Sequence, residues 1–175
     1  MEKLIQQLGD KDPVIRDDGA YLSLEKFIKS EENTAESNSF LYGRLLKEIK
    51  QKGKSIELIL KRSFSALVLS VVIFEDNKRF GKLETSELKE AFKVIKDYGG
   101  DEDCLIEKDD KLGWVHCYAH IGDVLSTLVI HKNTNFAQEI TEFILEIEKL
   151  RNLGKDSLER FKQPINLAKA LGKIS

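Results

Sequence analysis

The sequence predicts an all-α protein: antiparallel helix pairs stacked as a HEAT-like helical repeat array, with a closed multi-helix bundle as the alternative. Three observations carry this. Apolar residues recur at helical spacing nearly throughout the 175 residues. The two prolines, Pro13 and Pro164, are too few for the turns of a strand-rich domain of this size. The connections are mostly short, which suits antiparallel neighbours. With 41% hydrophobic residues the chain can bury one core, so residues 1–175 read as a single all-helical domain.

The elements follow in order. In "MEKLIQQLG", Leu4, Ile5 and Leu8 share a face and Gly9 can close the helix. Asp12 before Pro13 is a good N-cap ahead of a good first helical residue. The second helix should then continue through Val14, Ile15, Leu22, Leu24, Phe27 and Ile28. "SEENTAESNS" is a polar loop whose hydroxyl and amide side chains compete for backbone hydrogen bonds. The third helix, "FLYGRLLKEIKQKG", has Leu41, Leu45, Leu46 and Ile49 inward. "KSIELILKRSFSALVLSVVIFEDN" predicts a central fourth helix, broken near Arg62 and Ser63, with Ser63 as cap. "GKLETSELKEAFKVIKDYGG" gives a fifth, capped by Thr85 or Ser86 and stopped at Gly99 and Gly100. After an acidic loop come the helix of "GWVHCYAHIGDVL" and two more. The last of these has Asp156 and Glu159 as a capping box, and Pro164 should kink it.

Charge bounds the partners. Charged residues make up 33% of the chain, yet the net charge is only -2, so most of them solvate helix surfaces. Without a strong basic excess the chain is not expected to bind nucleic acid. The most apolar run, "FSALVLSVVIF", is shorter than the ~20 residues needed to cross a bilayer, so no membrane association is expected. The N-terminus lacks the apolar core of a secretory signal, and Cys104 and Cys117 have neither metal-site nor disulfide-framework spacing. These features predict a soluble cytoplasmic protein. Nothing near Cys104 in sequence would activate its thiol.

The stretch "GWVHCYAHIGDVL" concentrates chemistry. On a helix, His116, His120 and Asp123 share one face, beside Trp114. Two histidines at i, i+4 with a carboxylate one turn on could hold a divalent metal, the only cofactor the sequence suggests. The zinc-protease pattern, however, places Glu directly after the first histidine, where this chain has Cys117. The favoured expectation is a polar helix interface. There the histidines would bond neighbouring carboxylates, and Asp123 would pair with an arginine from another helix. Two other spots could face it. Arg16 and Asp17 interrupt an apolar helix and could bind an anion or anchor two helices. Arg62, with Ser63 and Ser65, would suit a helix-start anion site. His131 at an apolar helix end reads as a cap.

Three segments together, "LGDKDPVIRDDGAY", "RSFSALVLSVVI" and "GWVHCYAHIGDVL", resemble the bacterial family of unknown function DUF2785. The matching positions are Arg16 and Asp17; Arg62, Ser63, Phe64 and Ser65; and Gly113, Trp114, His116, Ala119, His120, Asp123 and Leu125. Gly122 stands where the family often has alanine. Family members tend to continue further at the C-terminus, so the chain reads as a short or trimmed version. The resemblance implies an all-helical fold with no assigned activity or cofactor, and it links the three polar spots. A candidate ligand site is therefore Arg16, Asp17, Arg62, Trp114, His116, His120 and Asp123, with His116, His120 and Asp123 as its candidate metal set. The expected function is a helical-repeat binding or scaffold module for a protein partner or small anionic ligand. The alternative is a metal- or anion-ligand-binding enzyme using the same helix face.

Overall fold

The computed structural model describes residues 1–102 and 105–175; the expectation for Cys104 lies outside them. Helix α1 is Glu2–Gln7. Asp12 then accepts from the Val14 amide at 2.9 Å, as an N-cap does two residues on. The helix behind it is not regular. Val14–Tyr21 is π-helical and runs directly into α2, Leu22–Lys29. The wider winding alters which residues face inward. Arg16, Ala20, Leu24 and Ile28 are buried, whereas Val14, Ile15 and Leu22 are exposed.

Helix α3, Ala35–Ile49, is capped by Thr34 in a box with Ser37, and its predicted inward face of Leu41, Leu45, Leu46 and Ile49 is buried. Helix α4, Ile56–Glu75, is unbroken. Its cap is Ser55 rather than Ser63, which lies two turns inside. No Gly or Pro interrupts this stretch, and the Ser63 hydroxyl is drawn away to a carbonyl on another segment. A short π-helical turn, Asp76–Phe80, ends at Gly81 in the left-handed region. Helix α5, Thr85–Asp101, is capped by Glu84 with Glu87, not by Thr85 or Ser86, and it runs through Gly99 and Gly100. Gly99 is retained there under the ring of Phe143, which a Cβ would approach to 3.0 Å.

Two-residue strands β1, Lys108–Asp109, and β2, Gly113–Trp114, form an antiparallel hairpin. Helix α6, Cys117–Ile130, α7, Ala137–Leu150, and α8, Lys155–Ala170, complete the chain. The structure is thus all-α apart from one small hairpin. Helix α6 lies between α4 and α8, its main neighbours, and carries eleven buried residues. Hydrophobic burial of this central helix supplies most of its stability, since its own N-terminus has no side-chain cap. Among the described residues no helix is long and apolar enough to cross a membrane.

Helix α8 departs from expectation at two points. Its N-cap is Gly154, and the expected box of Asp156 and Glu159 does not form. Glu107, reaching from just before the hairpin, instead accepts from the Ser157 amide at 2.7 Å. The carboxylate fills the space beside Gly154, where a Cβ would fall 2.3 Å from it. The helix also continues through Pro164. Proline cannot return a hydrogen bond to the carbonyl four residues back, here that of Arg160. That carbonyl lies over Gly122 of α6, only 2.5 Å from where a Cβ would sit. The two backbones therefore cross closely, and glycine at 122 is what admits the contact.

Candidate functional site

Helix α6 begins later than the periodicity suggests, and this reshapes the site. Gly113 and Trp114 are extended, His116 is the N-cap, and Cys117 is the first helical residue. The cause is tertiary competition for carbonyls. Trp114 O accepts from Arg16 Nη2 at 3.2 Å, and Val115 O accepts from Ser63 Oγ at 2.6 Å. His116 is the one non-glycine residue with positive φ among the described residues (φ 46°, ψ 37°). Such a conformation costs an ordinary side chain about 1–2 kcal/mol.

Arg16 is fully buried and organises the segment. Its guanidinium pairs with Asp17 at 2.7 and 3.3 Å. It also donates to the carbonyls of Asp10 at 3.1 Å and Leu112 at 2.7 Å, and lies 4.6 Å over the Phe64 ring. These contacts tie the π-helical turn to the hairpin and to α4. Burial pushes the Asp17 carboxyl up despite its bond to Arg16.

His120 and Ser63 fix each other's protons. The single Ser63 proton goes to Val115 O, so His120 Nδ1, at 2.8 Å, must be the donor to Ser63 Oγ. Nε2 is left as the bare acceptor of that ring. Ser63 is consequently held away from any nucleophilic role. Burial, with Arg160, His116 and Arg16 nearby, holds His120 well below the usual imidazole range. His116 stacks on Trp114 with centroids 4.4 Å apart and stands edge-on to His120 at 6.0 Å. Its Nδ1 is buried and has no hydrogen-bond partner among the described residues. Burial and then Arg160 lower its pKa as well. Among the described residues, therefore, neither His116 nor His120 bonds a carboxylate, in contrast to the interface expectation.

Asp123 does meet an arginine of another helix, Arg160 of α8, through both carboxylate oxygens. Burial raises its pKa against the pull of that guanidinium. With Asp123 turned to Arg160, no group of three or more His, Cys, Asp and Glu among the described residues is placed to hold a metal ion.

One cavity borders this centre and another lies apart from it. A cleft of about 480 Å³ is lined by His116 and by Asp156, Glu159, Arg160, Gln163 and Asn166 of α8. A larger groove of about 970 Å³ lies elsewhere and includes Arg62, Tyr98 and Glu102. There Arg62 donates to the carbonyl of Gly53 at 2.9 Å and to Glu102 at 2.8 Å. The structure thus gathers Arg16, Asp17, Trp114, His116, His120 and Asp123 around the start of α6 and places Arg62 apart. Sequence reasoning passed over Arg160 and Glu107. The polar stripe Asp156, Glu159, Arg160, Gln163 and Asn166 on one helix face was the available signal. His131, expected as a cap, does close α6. It is also buried, with Nδ1 accepting from the Asn133 amide and Nε2 bonding Asp76 at 3.2 Å.

Among protein families, the one described as "Protein of unknown function (DUF2785)" has a model that matches residues 45–173. The match takes in Arg62, the histidines and all of α8, and begins after Arg16. No curated protein and no solved structure matches the chain.

Proposed function

The chain belongs to the DUF2785 family of proteins of unknown function, and from that premise we propose that it is a helical binding module that holds a small polar ligand in the cleft between His116 and α8. The carrying observation is His116 itself. It is 8% exposed, its Nδ1 has no partner among the described residues, the residue lines a cleft, and its backbone is left-handed. A buried polar atom without a partner costs about 1–3 kcal/mol, and a ligand group could recover that. Strained backbone and unmet hydrogen bonds concentrate where binding needs them.

The arginines support binding over an anion-processing enzyme. Arg16 and Arg62 were the groups to hold an anionic substrate, and carbonyls and carboxylates already occupy both. The packing of α3 on α4 and of α7 on α8 supports antiparallel pairs stacked in the manner of a HEAT-like array.

Trp114 is the only tryptophan and stacks on His116, so its emission reports events at that ring. A protein-free metabolite extract should shift the emission saturably in the native chain and not in His116→Gly, which suits the left-handed backbone. An extract that leaves the emission unchanged, or shifts both proteins alike, overturns the proposal.

A further inference from the structure

The segment 107–116 is fastened to the helices mostly by polar contacts. Arg16 donates to the carbonyls of Leu112 and Trp114, Ser63 donates to that of Val115, and Glu107 accepts from the Ser157 amide. Among its apolar side chains only Val115 is fully buried; Trp114 is 43% exposed. The segment ends in the left-handed residue His116, whose strain is relieved on release, and α6 behind it has no side-chain cap to lose. Little apolar burial and a strained end put such a segment at the low end of local stability.

His120 lies one turn further on and is 3% exposed. Its ring is edge-on to Phe64 at 5.1 Å and to His116 at 6.0 Å. Its Nδ1 bonds Ser63, the same hydroxyl that holds Val115 O. The charges around it are cations whose carboxylates are already engaged. The π-helical turn brings Arg16, paired with Asp17, and Tyr21, whose phenol is pushed up to about 12 and stays neutral. Helix α8 brings Arg160, paired with Asp123 of α6. Helix α4 presents Ser63 and Phe64. In the segment itself Lys108 lies over Trp114, and Glu107, with Asp156 of α8, acts on His116. A proton on His120 thus adds a positive charge beside two arginines.

We propose that segment 107–116 is an acid-released strap with His120 as its sensor: the ring accommodates a proton only when the strap lifts, carrying His116 away and admitting water. Burial, Arg160, His116 and Arg16 hold the folded imidazole well below its ordinary range, whereas in the lifted state it titrates near about 6.5. Lifting is therefore indifferent to pH above that value and gains about tenfold per pH unit below it. The strap does not depend on what occupies the cleft.

Amide hydrogen exchange of the full chain, corrected for the intrinsic pH dependence of exchange, reads opening segment by segment between about pH 7.5 and about 5. Residues 108–119 should open about tenfold more for each unit below about 6.5, while residues 66–74 inside α4 keep their protection. His120→Asn, whose amide still donates to Ser63, should remove most of that gain. His116→Asn, which suits the left-handed backbone, should keep it. Equal opening of both stretches marks global unfolding and overturns the strap. A segment indifferent to pH, a gain kept in His120→Asn, or one lost in His116→Asn overturns His120 as its sensor. If His120→Asn does not fold, the native chain and His116→Asn still decide.

Discussion

Gly122 and Arg160 face each other where α6 crosses α8: the Arg160 carbonyl would fall 2.5 Å from a Cβ at position 122. Pro164 denies that carbonyl its usual intrahelical donor. Gly122→Ala should cost about 1–3 kcal/mol by overpacking the crossing. Pro164→Ala restores the donor and draws the carbonyl back toward its own helix, so the alanine at 122 should cost less in that background. Urea unfolding of the four proteins should show a coupling of at least about 0.5 kcal/mol. Strict additivity would remove the link between the two residues.

Arg16 should be the most costly single truncation in the first half of the chain. Arg16→Ala leaves the carbonyls of Asp10, Leu112 and Trp114 without their donor and opens a cavity beside Phe64. A loss of about 3–5 kcal/mol is expected. Arg16→Lys should recover little, because one ammonium cannot span carbonyls set around a planar fork. Denaturant midpoints at unchanged slope check this; a lysine variant as stable as the native chain contradicts it.

The left-handed backbone at His116 predicts an order among substitutions. Asparagine tolerates that region and valine does not, so His116→Val should be less stable than His116→Asn by about 1–2 kcal/mol. Equal stabilities would mean that the segment has another conformation in solution.

Acid should weaken the fold through the histidines. Both imidazoles have folded pKa values below the ordinary 6.5. The unfolded chain takes up protons below 6.5 that the folded chain refuses, so this contribution is constant above that pH and stability is lost as pH falls beneath it. The slope reaches up to about 1.4 kcal/mol per pH unit for each ring. Asp17 and Asp123, raised by burial, act in the opposite sense. The comparison is therefore the native chain against His120→Asn, whose amide can still donate to Ser63. Between about pH 7.5 and about 5.5 the native chain should lose more stability than the variant. Parallel loss would show that His120 titrates normally.

Local periodicity made much of this legible. Leu41, Leu45, Leu46 and Ile49 are buried as their spacing requires, α4 is central, and Asp12 caps as its neighbours suggest. What periodicity missed is decided by partners distant in sequence. The start of α6 is delayed because Arg16 and Ser63 take the carbonyls of Trp114 and Val115. The exposed Val14, Ile15 and Leu22 reflect a π-winding that a 3.6-residue template cannot anticipate. Asp156 and Glu159 match a capping box by spacing, yet Glu107 caps that helix from the hairpin side. Of the candidate site, the gathering of Arg16, His116, His120 and Asp123 was foreseeable from the shared motifs, and the separation of Arg62 was not.

The wall opposite His116 comes wholly from α8, fastened by Glu107 and seated on Gly122. A ribosome that has released only the first six helices exposes the imidazoles but has not yet built anything to enclose a guest. Occupancy of this cleft would consequently be a property of finished molecules alone, and a nascent chain stalled before Asn166 should be blind to it.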